Sequence, residues 1–219
     1  MNTLIQTQDE LTGALSRESF EERFEAALLR AVQNNQPLSL AVLDIDRFLS
    51  INDNYGRQVG DLVLINLYQL LQENLPENAL IFRYGGDEYY VLLPGMTREQ
   101  ALLRMEQIRL EAAKESAYRD ETFAVSLTVG IASYPIDGTA IDELQRKADQ
   151  ALYRAKKAGR SQVLLAYDEK MVPKTVHFTE TQLERLSTLA EEQSITEARL
   201  LREALDDLIN KYNVNKIEA

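Results

Sequence analysis

The stretch RYGGDEYYVLL, residues 83–93, is the most informative part of this sequence. An apolar lead-in at 79–82 and an apolar run at 89–93 flank Gly85 and Gly86, a pattern typical of a β-hairpin. Paired glycines supply the positive φ angles that a tight turn needs, and they let a ligand approach the backbone closely. The stretch therefore predicts a hairpin whose tip is the glycine pair.

Two carboxylates, Asp87 and Glu88, follow that tip and should point to opposite sides of the strand. Adjacent acids weaken an otherwise apolar strand unless something cationic compensates them. A divalent metal with a nucleotide phosphate would do so. A solvated hairpin tip with two surface acids is the other interpretation, and this stretch alone leaves both open.

Composition restricts the chemistry. The 219 residues include no cysteine and one histidine, His177, which excludes disulfides, thiolate or histidine-rich metal sites and a serine–histidine mechanism. A divalent metal would have to be held by oxygen, which favours Mg²⁺ or Mn²⁺. The net charge of −11 argues against a protein that coats nucleic acid nonspecifically.

No apolar run is long enough to span a bilayer, and the first ten residues lack the basic start and apolar core of a signal peptide. We therefore expect a cytoplasmic protein without a membrane partner.

A second acidic motif lies upstream. The apolar run LSLAVL at 38–43 ends in Asp44, Ile45 and Asp46, so both acids should share one face if the strand continues. A buried strand that delivers acids at its carboxyl end commonly builds a metal site. We expect Asp44 to lie beside Asp87. Only one of the two acids Asp44 and Asp46 needs to reach a metal.

The remaining pattern sets the fold class. Helical spacing at 20–31, at 62–71, from a Thr97–Gln100 capping box to about 117, and at 139–157 alternates with strands at 38–43, 123–132 and 161–166. This order predicts an α/β (α+β) fold, a mostly antiparallel ferredoxin-like or palm sheet covered by helices. An ion pair between Asp9 and Arg17 is expected to brace the first helix.

Four polar residues have two possible roles each. Asn52 and Asp61 are helix caps or acceptors for a polar ring edge. Lys156 and Arg160, on either side of a helix-ending glycine, complement the helix dipole or bind a triphosphate.

Residues 9–165 resemble the GGDEF family of diguanylate cyclases. Five blocks in the family's order carry the resemblance: DELTGALSR, LDIDRFLSINDNYGRQVGD, RYGGDEYYVL, LTVGIASYP and ADQALYRAKKAGRSQV. The resemblance implies condensation of two GTP into cyclic di-GMP, with one GTP held in each of two facing domains.

The resemblance also implies the site residues. Asp44, the Ile45 carbonyl and Asp87 would hold the metal, normally Mg²⁺, and Asp87 is also the candidate proton acceptor beside Glu88 and Arg83. The substrate residues would comprise the guanine readers and the residues near ribose and phosphates, namely Asn52, Asp61, Phe48, Arg57, Gly86, Lys156 and Arg160.

Three positions depart from the family pattern. Leu49 replaces a phosphate-side lysine, Arg57 replaces a histidine, and Tyr89 replaces a phenylalanine. The missing lysine is expected to weaken triphosphate binding, and Arg57 to restore part of the positive charge.

The tail has a different composition. Residues 174–179 (KTVHFT) alternate, and two amphipathic helical patterns follow at 183–190 and 195–212, with a break at 191–194. One strand and two helices in so few residues cannot bury a core alone. This segment resembles a ribbon-helix-helix module, which folds as an intertwined dimer.

Such modules commonly place ribbon side chains in the DNA major groove, here Lys174, Thr175 and His177. Residues 168–219 carry seven basic and eleven acidic side chains, a net charge of −4 that disfavours phosphate contacts. We expect dimerisation through 170–213 rather than DNA binding.

The sequence thus predicts a catalytic domain at 1–168 and a dimerisation module at 169–219. The favoured function is a diguanylate cyclase. The alternative is a ribbon-helix-helix DNA-binding regulator whose GGDEF-like domain binds GTP without efficient turnover.

Overall fold

The structure, a computed structural model, describes residues 7–118, 121–166 and 176–193 and seven later positions of the tail (196, 197, 200, 201, 204, 205 and 208). The chain divides into two compact units, Met1–Glu169 and Lys170–Ala219. Within the described ranges, no helix combines the length and the hydrophobicity needed to cross a membrane.

The described residues of the first unit form eight strands, five α-helices and one 3-10 helix, Arg17–Ser19. The strands are β1 Leu15–Ser16, β2 Leu38–Ile45, β3 Leu80–Arg83, β4 Glu88–Pro94, β5 Glu115–Tyr118, β6 Glu121–Ala124, β7 Leu127–Tyr134 and β8 Val163–Leu165. The helices are α1 Phe20–Asn34, α2 Phe48–Tyr55, α3 Arg57–Asn74, α4 Arg98–Ala112 and α5 Ile141–Lys157. Six strands form one sheet in the order β1-β3-β4-β2-β7-β8, and β5 and β6 form a separate hairpin.

Strand β2 lies at the centre of the sheet and runs antiparallel to both neighbours, β4 and β7. Its side chains alternate between two cores because successive strand residues face opposite sides. Ala41, Leu43 and Ile45 pack with α3 and α4, whereas Leu40 and Val42 pack with α1 and α5. The predicted sheet with helices on its faces is confirmed.

The hairpin at the glycine pair is confirmed, but its turn differs from the prediction. Strands β3 and β4 pair antiparallel up to Arg83 opposite Tyr89. The Tyr84 N–H donates to the Glu88 carbonyl at 2.9 Å, and neither Gly85 nor Gly86 has a positive φ. Four residues separate the strands, so the loop closes without the left-handed conformation of a two-residue turn.

Two element boundaries predicted from periodicity were wrong. The helix expected to reach about 117 ends at Ala112, and the expected strand at 123–132 is split into β6 and β7. At the split, the Val125 N–H donates to the Ala112 carbonyl, and the Ser126 carbonyl accepts from the Asp46 N–H. Both halves alternate like a single strand, so periodicity alone does not reveal the break.

The predicted Asp9–Arg17 ion pair was also wrong. Asp9 pairs instead with Arg83 at 3.1 Å, and the Arg17 guanidinium lies over the Tyr84 ring at 4.8 Å. The cause is the parallel pairing of β1 with β3, which puts Ser16 opposite Arg83. The amino-terminal segment therefore supports the hairpin rather than the first helix.

In the second unit, helix α6 (Glu180–Gln193) agrees with the first predicted tail helix, although it continues through most of the expected break. The described positions from Glu197 to Leu208 are helical, as predicted. Lys174 and Thr175 lie outside the described residues, and described residues 176–179 form no strand within the single chain. A ribbon formed with a second chain stays a prediction.

One buried hydroxyl links the hairpin to α3, since Tyr89 is fully buried and donates to the Leu64 carbonyl at 2.9 Å. We expect Tyr89→Phe to lower the free energy of unfolding by about 1 kcal/mol, the usual net value of one hydrogen bond. Urea unfolding followed by circular dichroism measures the change. Tyr153→Phe is the matched control because Tyr153 is 53% exposed. Equal stability of both variants and the unmutated protein would contradict this role.

Candidate active site at the carboxyl end of the central strand

The sheet register brings the two predicted acidic segments together. Asp44, near the end of β2, lies opposite Glu88, the first residue of β4. The Ile45 N–H donates to the Asp87 backbone carbonyl at 3.3 Å. The strand end and the hairpin tip are therefore neighbours, as expected from the sequence.

The acids of this region repel one another in a partly dry setting. Burial raises the pKa of Asp44; the hydrogen bond and charge of Lys156 oppose this rise, and the charges of Asp87 and Asp46 add to it. A group that binds here and carries positive charge would relieve this repulsion.

The end of α5 supplies cations to the same place. The Lys156 ammonium lies 2.6 Å from an Asp44 carboxylate oxygen, and the Arg160 Nε lies 4.0 Å from Asp46. Both basic residues thus face the acids, which goes beyond complementing a helix dipole.

The oxygen atoms at this strand end bear on whether a divalent metal could bind. Across the described part of the chain, no three Asp, Glu, His or Cys side chains are grouped so as to hold a metal ion by themselves. Asp44, Asp87 and the Ile45 carbonyl offer hard oxygen atoms, and Lys156 already places a cation on one of them. This set fits Mg²⁺ or Mn²⁺ provided that substrate and water complete the shell, which is the usual arrangement for Mg²⁺.

Asn52 and Phe48 of α2 pack against Gly60 of α3. A Cβ built on Gly60 would come within 1.9 Å of the Asn52 Oδ1 and 3.3 Å of the Phe48 ring, so the absence of a side chain leaves room for Asn52. Neither Asn52 nor Asp61 caps a helix, because the caps are Arg47 and Gly56. The helix-cap interpretation of both residues is therefore wrong, since Asn52 lies inside α2 and Asp61 inside α3.

Two of the departures from the family pattern, Leu49 and Arg57, lie on these helices. Leu49 is 71% exposed on α2, and Arg57 is exposed as the first residue of α3. At the hairpin tip, a Cβ on Gly86 would meet no heavy atom within 4 Å, so the backbone there is open to a ligand.

Comparison with known proteins agrees with this geometry. The sequence model described as "Diguanylate cyclase, GGDEF domain" matches residues 6–162, and one for a ribbon-helix-helix domain matches 170–213. The chain belongs to the GGDEF diguanylate cyclase family.

Relatives of this GGDEF chain include diguanylate cyclase DgcM of Escherichia coli K12, 40% identical over 158 residues that make up 72% of this chain and 38% of DgcM. The GGDEF domain of YfiN (TpbB) from Pseudomonas aeruginosa superposes with a TM-score of 0.71 and 36% identity, covering 73% of this chain and 94% of that one. The active GGEEF domain of a Vibrio cholerae diguanylate cyclase gives 0.67 and 33%, with coverages of 70% and 98%. The matched part thus spans only 38% of the full-length relative DgcM.

Arg83, predicted as a catalytic residue of the GGDEF domain, makes its described contacts inside the protein. Besides pairing with Asp9, it donates to the Gly86 carbonyl at 2.9 Å. It thereby ties the amino-terminal segment to the glycine tip and fixes the loop that carries Asp87.

The structure adds a group that the sequence analysis missed. The Tyr90 hydroxyl donates to Asp149 on α5 at 3.0 Å, and Tyr84 stacks on Tyr90 at 3.9 Å. Burial, followed by the charge of Asp149, raises the pKa of Glu88 to about 6. Asp149 lies on α5, and the packing of α5 against the sheet, which no local sequence pattern encodes, brings it near Glu88.

This raised pKa predicts a pH-dependent stability. Between pH 4.5, the ordinary pKa of Glu88, and about 6, its value in the folded protein, the folded state binds more protons than the unfolded state. Glu88 therefore costs stability above pH 6, and the cost vanishes below pH 4.5. In metal-free buffer at pH 8, we expect Glu88→Gln to raise the free energy of unfolding by about 1 kcal/mol, a value reduced from the full pKa shift because solvent screens the partly exposed group. At pH 4.5 we expect little effect.

Thermal unfolding across this pH range measures the effect. Glu22→Gln, on the exposed surface of α1, is the control for loss of one negative charge. An effect of Glu88→Gln that is independent of pH would show that burial of the charged form is not its cause.

Proposed function

We propose that the chain is a diguanylate cyclase that condenses two GTP into cyclic di-GMP and releases pyrophosphate. The observation that carries this proposal is the convergence of Asp44, the hairpin tip with Asp87, and the basic end of α5 in a member of the GGDEF family. This arrangement offers acids for a metal and cations for phosphates within one site.

Asp44, the Ile45 carbonyl and Asp87 would hold the divalent metal, Mg²⁺ or Mn²⁺. When bound, it offsets charge on the phosphates and lowers the pKa of the attacking hydroxyl. The partly buried setting of Asp44 supports this role because it penalises the carboxylate unless a cation is close.

Asn52 and Asp61 would accept hydrogen bonds from the guanine edge, with Phe48 beside them and Gly60 leaving room for the Asn52 side chain. A guanine presents N–H donors on the edge where adenine has fewer, so two acceptors favour GTP over ATP.

The phosphate side would be formed by Lys156, Arg160 and Arg57, with Gly86 allowing close approach to the ribose and phosphates. Exchange of a carboxylate partner for phosphate oxygens keeps each cation paired, so Lys156 can bind substrate without being left uncompensated. Leu49 contributes no charge here, and we expect weaker triphosphate binding than in family members with lysine.

In the reaction, the 3′-oxygen of one GTP forms a bond to the α-phosphorus of the other, and the bond from that phosphorus to pyrophosphate breaks. Asp87 would accept the proton of the hydroxyl. Glu88 would lie beside it, and Arg83 would hold the glycine tip in place through the Gly86 carbonyl.

The reaction needs two such sites that face each other. We propose that residues 1–168 form the catalytic domain and residues 169–219 a dimerisation module. This module would pair two chains through residues 170–213. Large apolar side chains in the described part of the tail support this, since the following are exposed in the single chain: Val176, Phe178, Leu183, Leu189, Leu201, Leu205 and Leu208. A small module with so much exposed apolar surface gains stability when a second copy covers it.

A ribbon-helix-helix DNA-binding regulator is the second candidate, because the ribbon-helix-helix match covers 170–213 and His177 is exposed. The net charge of −4 over 168–219 weighs against it.

Asp87→Ala tests the enzyme proposal. With GTP and Mg²⁺, we expect the unmutated protein to form cyclic di-GMP and pyrophosphate, and the variant to be slower by at least about 100-fold, the usual contribution of a proton-transfer group. Chromatography with mass spectrometry identifies the product. Glu22→Ala, an exposed acid on α1, should leave the rate unchanged. GTP binding without any product would favour the second candidate.

Leu205→Asp tests the tail. We expect a charge at this exposed apolar position to halve the mass measured by light scattering, because it would be buried in the tail dimer. Leu110→Asp on α4 is the matched control, since Leu110 and Leu205 are 53% and 55% exposed. An unchanged mass would remove the dimer role, and salt-sensitive binding of a palindromic DNA duplex would support the regulator.

A further inference from the structure

Three consecutive residues after α5 have positive φ angles, with Gly159 at 116°, Arg160 at 66° and Ser161 at 49°. The glycine ends the helix in the usual way, with the Arg160 N–H donating to the Ala155 carbonyl at 3.0 Å. Arginine and serine, by contrast, rarely adopt the left-handed conformation, so something must hold the chain there.

Hydrogen bonds to Asp46 keep the backbone in this conformation. The Ser161 N–H donates to an Asp46 carboxylate oxygen at 3.1 Å and to the Thr128 hydroxyl at 3.0 Å. Thr128 in turn donates to Asp46 at 2.6 Å, and the Ser126 hydroxyl does the same. The left-handed segment is thus fastened to the end of β2 and the start of β7.

Burial separates the two acids of the Asp-Ile-Asp motif. The Asp46 side chain is 4% exposed and its oxygens are engaged by donors of the protein, whereas Asp44 is more exposed and contacts Lys156. A buried carboxylate bonded in this way holds its neighbours firmly, because breaking any of the bonds would leave a charge poorly compensated.

We propose that Asp46 is a positioning residue that fixes the left-handed turn at 159–161 and thereby sets Arg160 beside Lys156 for the triphosphate. The proposal rests on the proposed function for its substrate. The Arg160 Nε, 4.0 Å from Asp46, adds an electrostatic attraction in the same direction. Asp46 acts through the turn and does not touch the nucleotide.

Asp46→Asn in the full chain tests this, because an amide has one acceptor oxygen where the carboxylate has two. We expect GTP binding, measured by calorimetry with Mg²⁺, to weaken about tenfold, the effect of losing one well-placed charged contact. Guanosine, which lacks phosphates, should bind as to the unmutated protein. Hydrogen exchange of the peptide covering 158–163 should become faster without nucleotide.

A rescue experiment isolates the backbone effect. Adding Ser161→Gly to Asp46→Asn should recover most of the GTP affinity, because glycine adopts the left-handed conformation without strain. Ser161→Ala is the matched control and should not rescue. Both substitutions remove the contact between the Ser161 hydroxyl and Arg109, which is 3.1 Å long, so their difference reports the backbone alone.

A double-mutant cycle with Arg160→Ala shows whether the two residues act together. We expect Arg160→Ala to weaken GTP binding about tenfold alone and less than about twofold in the Asp46→Asn protein. If Asp46→Asn does not fold, Thr128→Val removes one link to Ser161 and keeps the charge, and a smaller loss of GTP affinity is expected.

Unchanged GTP affinity and unchanged exchange at 158–163 in Asp46→Asn or Thr128→Val would overturn the proposal. Equal losses for GTP and guanosine would overturn it as well, since they would indicate a general structural defect. Absence of GTP binding by the unmutated protein would instead refute the proposed function, and the exchange measurement would still test the role of Asp46 in the turn.

Discussion

The antiparallel pairing of β2 with β4 is the constraint on which the site depends. In this register Asp44 lies opposite Glu88, and the Ile45 N–H donates to the Asp87 carbonyl just beyond the paired residues. A shift by one residue would turn every β4 side chain to the other face and exchange the two cores. Such a shift would require both cores to repack, so the packed side chains of β2 and β4 hold the register, and this register positions the acids.

The acids near this strand end repel one another, and several contacts of the fold stabilise their carboxylates. Lys156 comes from the end of α5 to Asp44, Ser161 brings its backbone N–H to Asp46, and Tyr90 donates to Asp149. Lys156 and Asp149 belong to α5 and Ser161 follows it, so these contacts form only when α5 packs against the sheet. The elevated pKa of Glu88 marks the place where compensation is incomplete. Residual repulsion of this kind favours binding of cations.

Local signals predicted much of this arrangement. The hairpin, β2, α1, the capping box of α4 and α5 follow from periodicity and turn residues, because their apolar side chains pack in the two cores on either side of the sheet. Asp9 with Arg83 depends on a parallel strand pair formed across the chain, and the break at Val125 depends on contacts with Ala112 and Asp46. No local pattern encodes such pairings. The sequence allowed Asn52 to be either a helix cap or a ligand contact, and only the helix ends in the structure exclude the cap.

The proposed division of labour between the two units follows from the same reasoning. A GGDEF domain that holds one GTP has half of the atoms that its product needs, so its rate depends on how often two domains meet. If the tail pairs two chains as proposed, a second domain is supplied at an effective concentration that short tethers raise to about millimolar. Association through the tail would then take the place of a tight interface between the catalytic domains. Such an interface would oppose separation after turnover, whereas tethered domains can separate, release cyclic di-GMP and meet again.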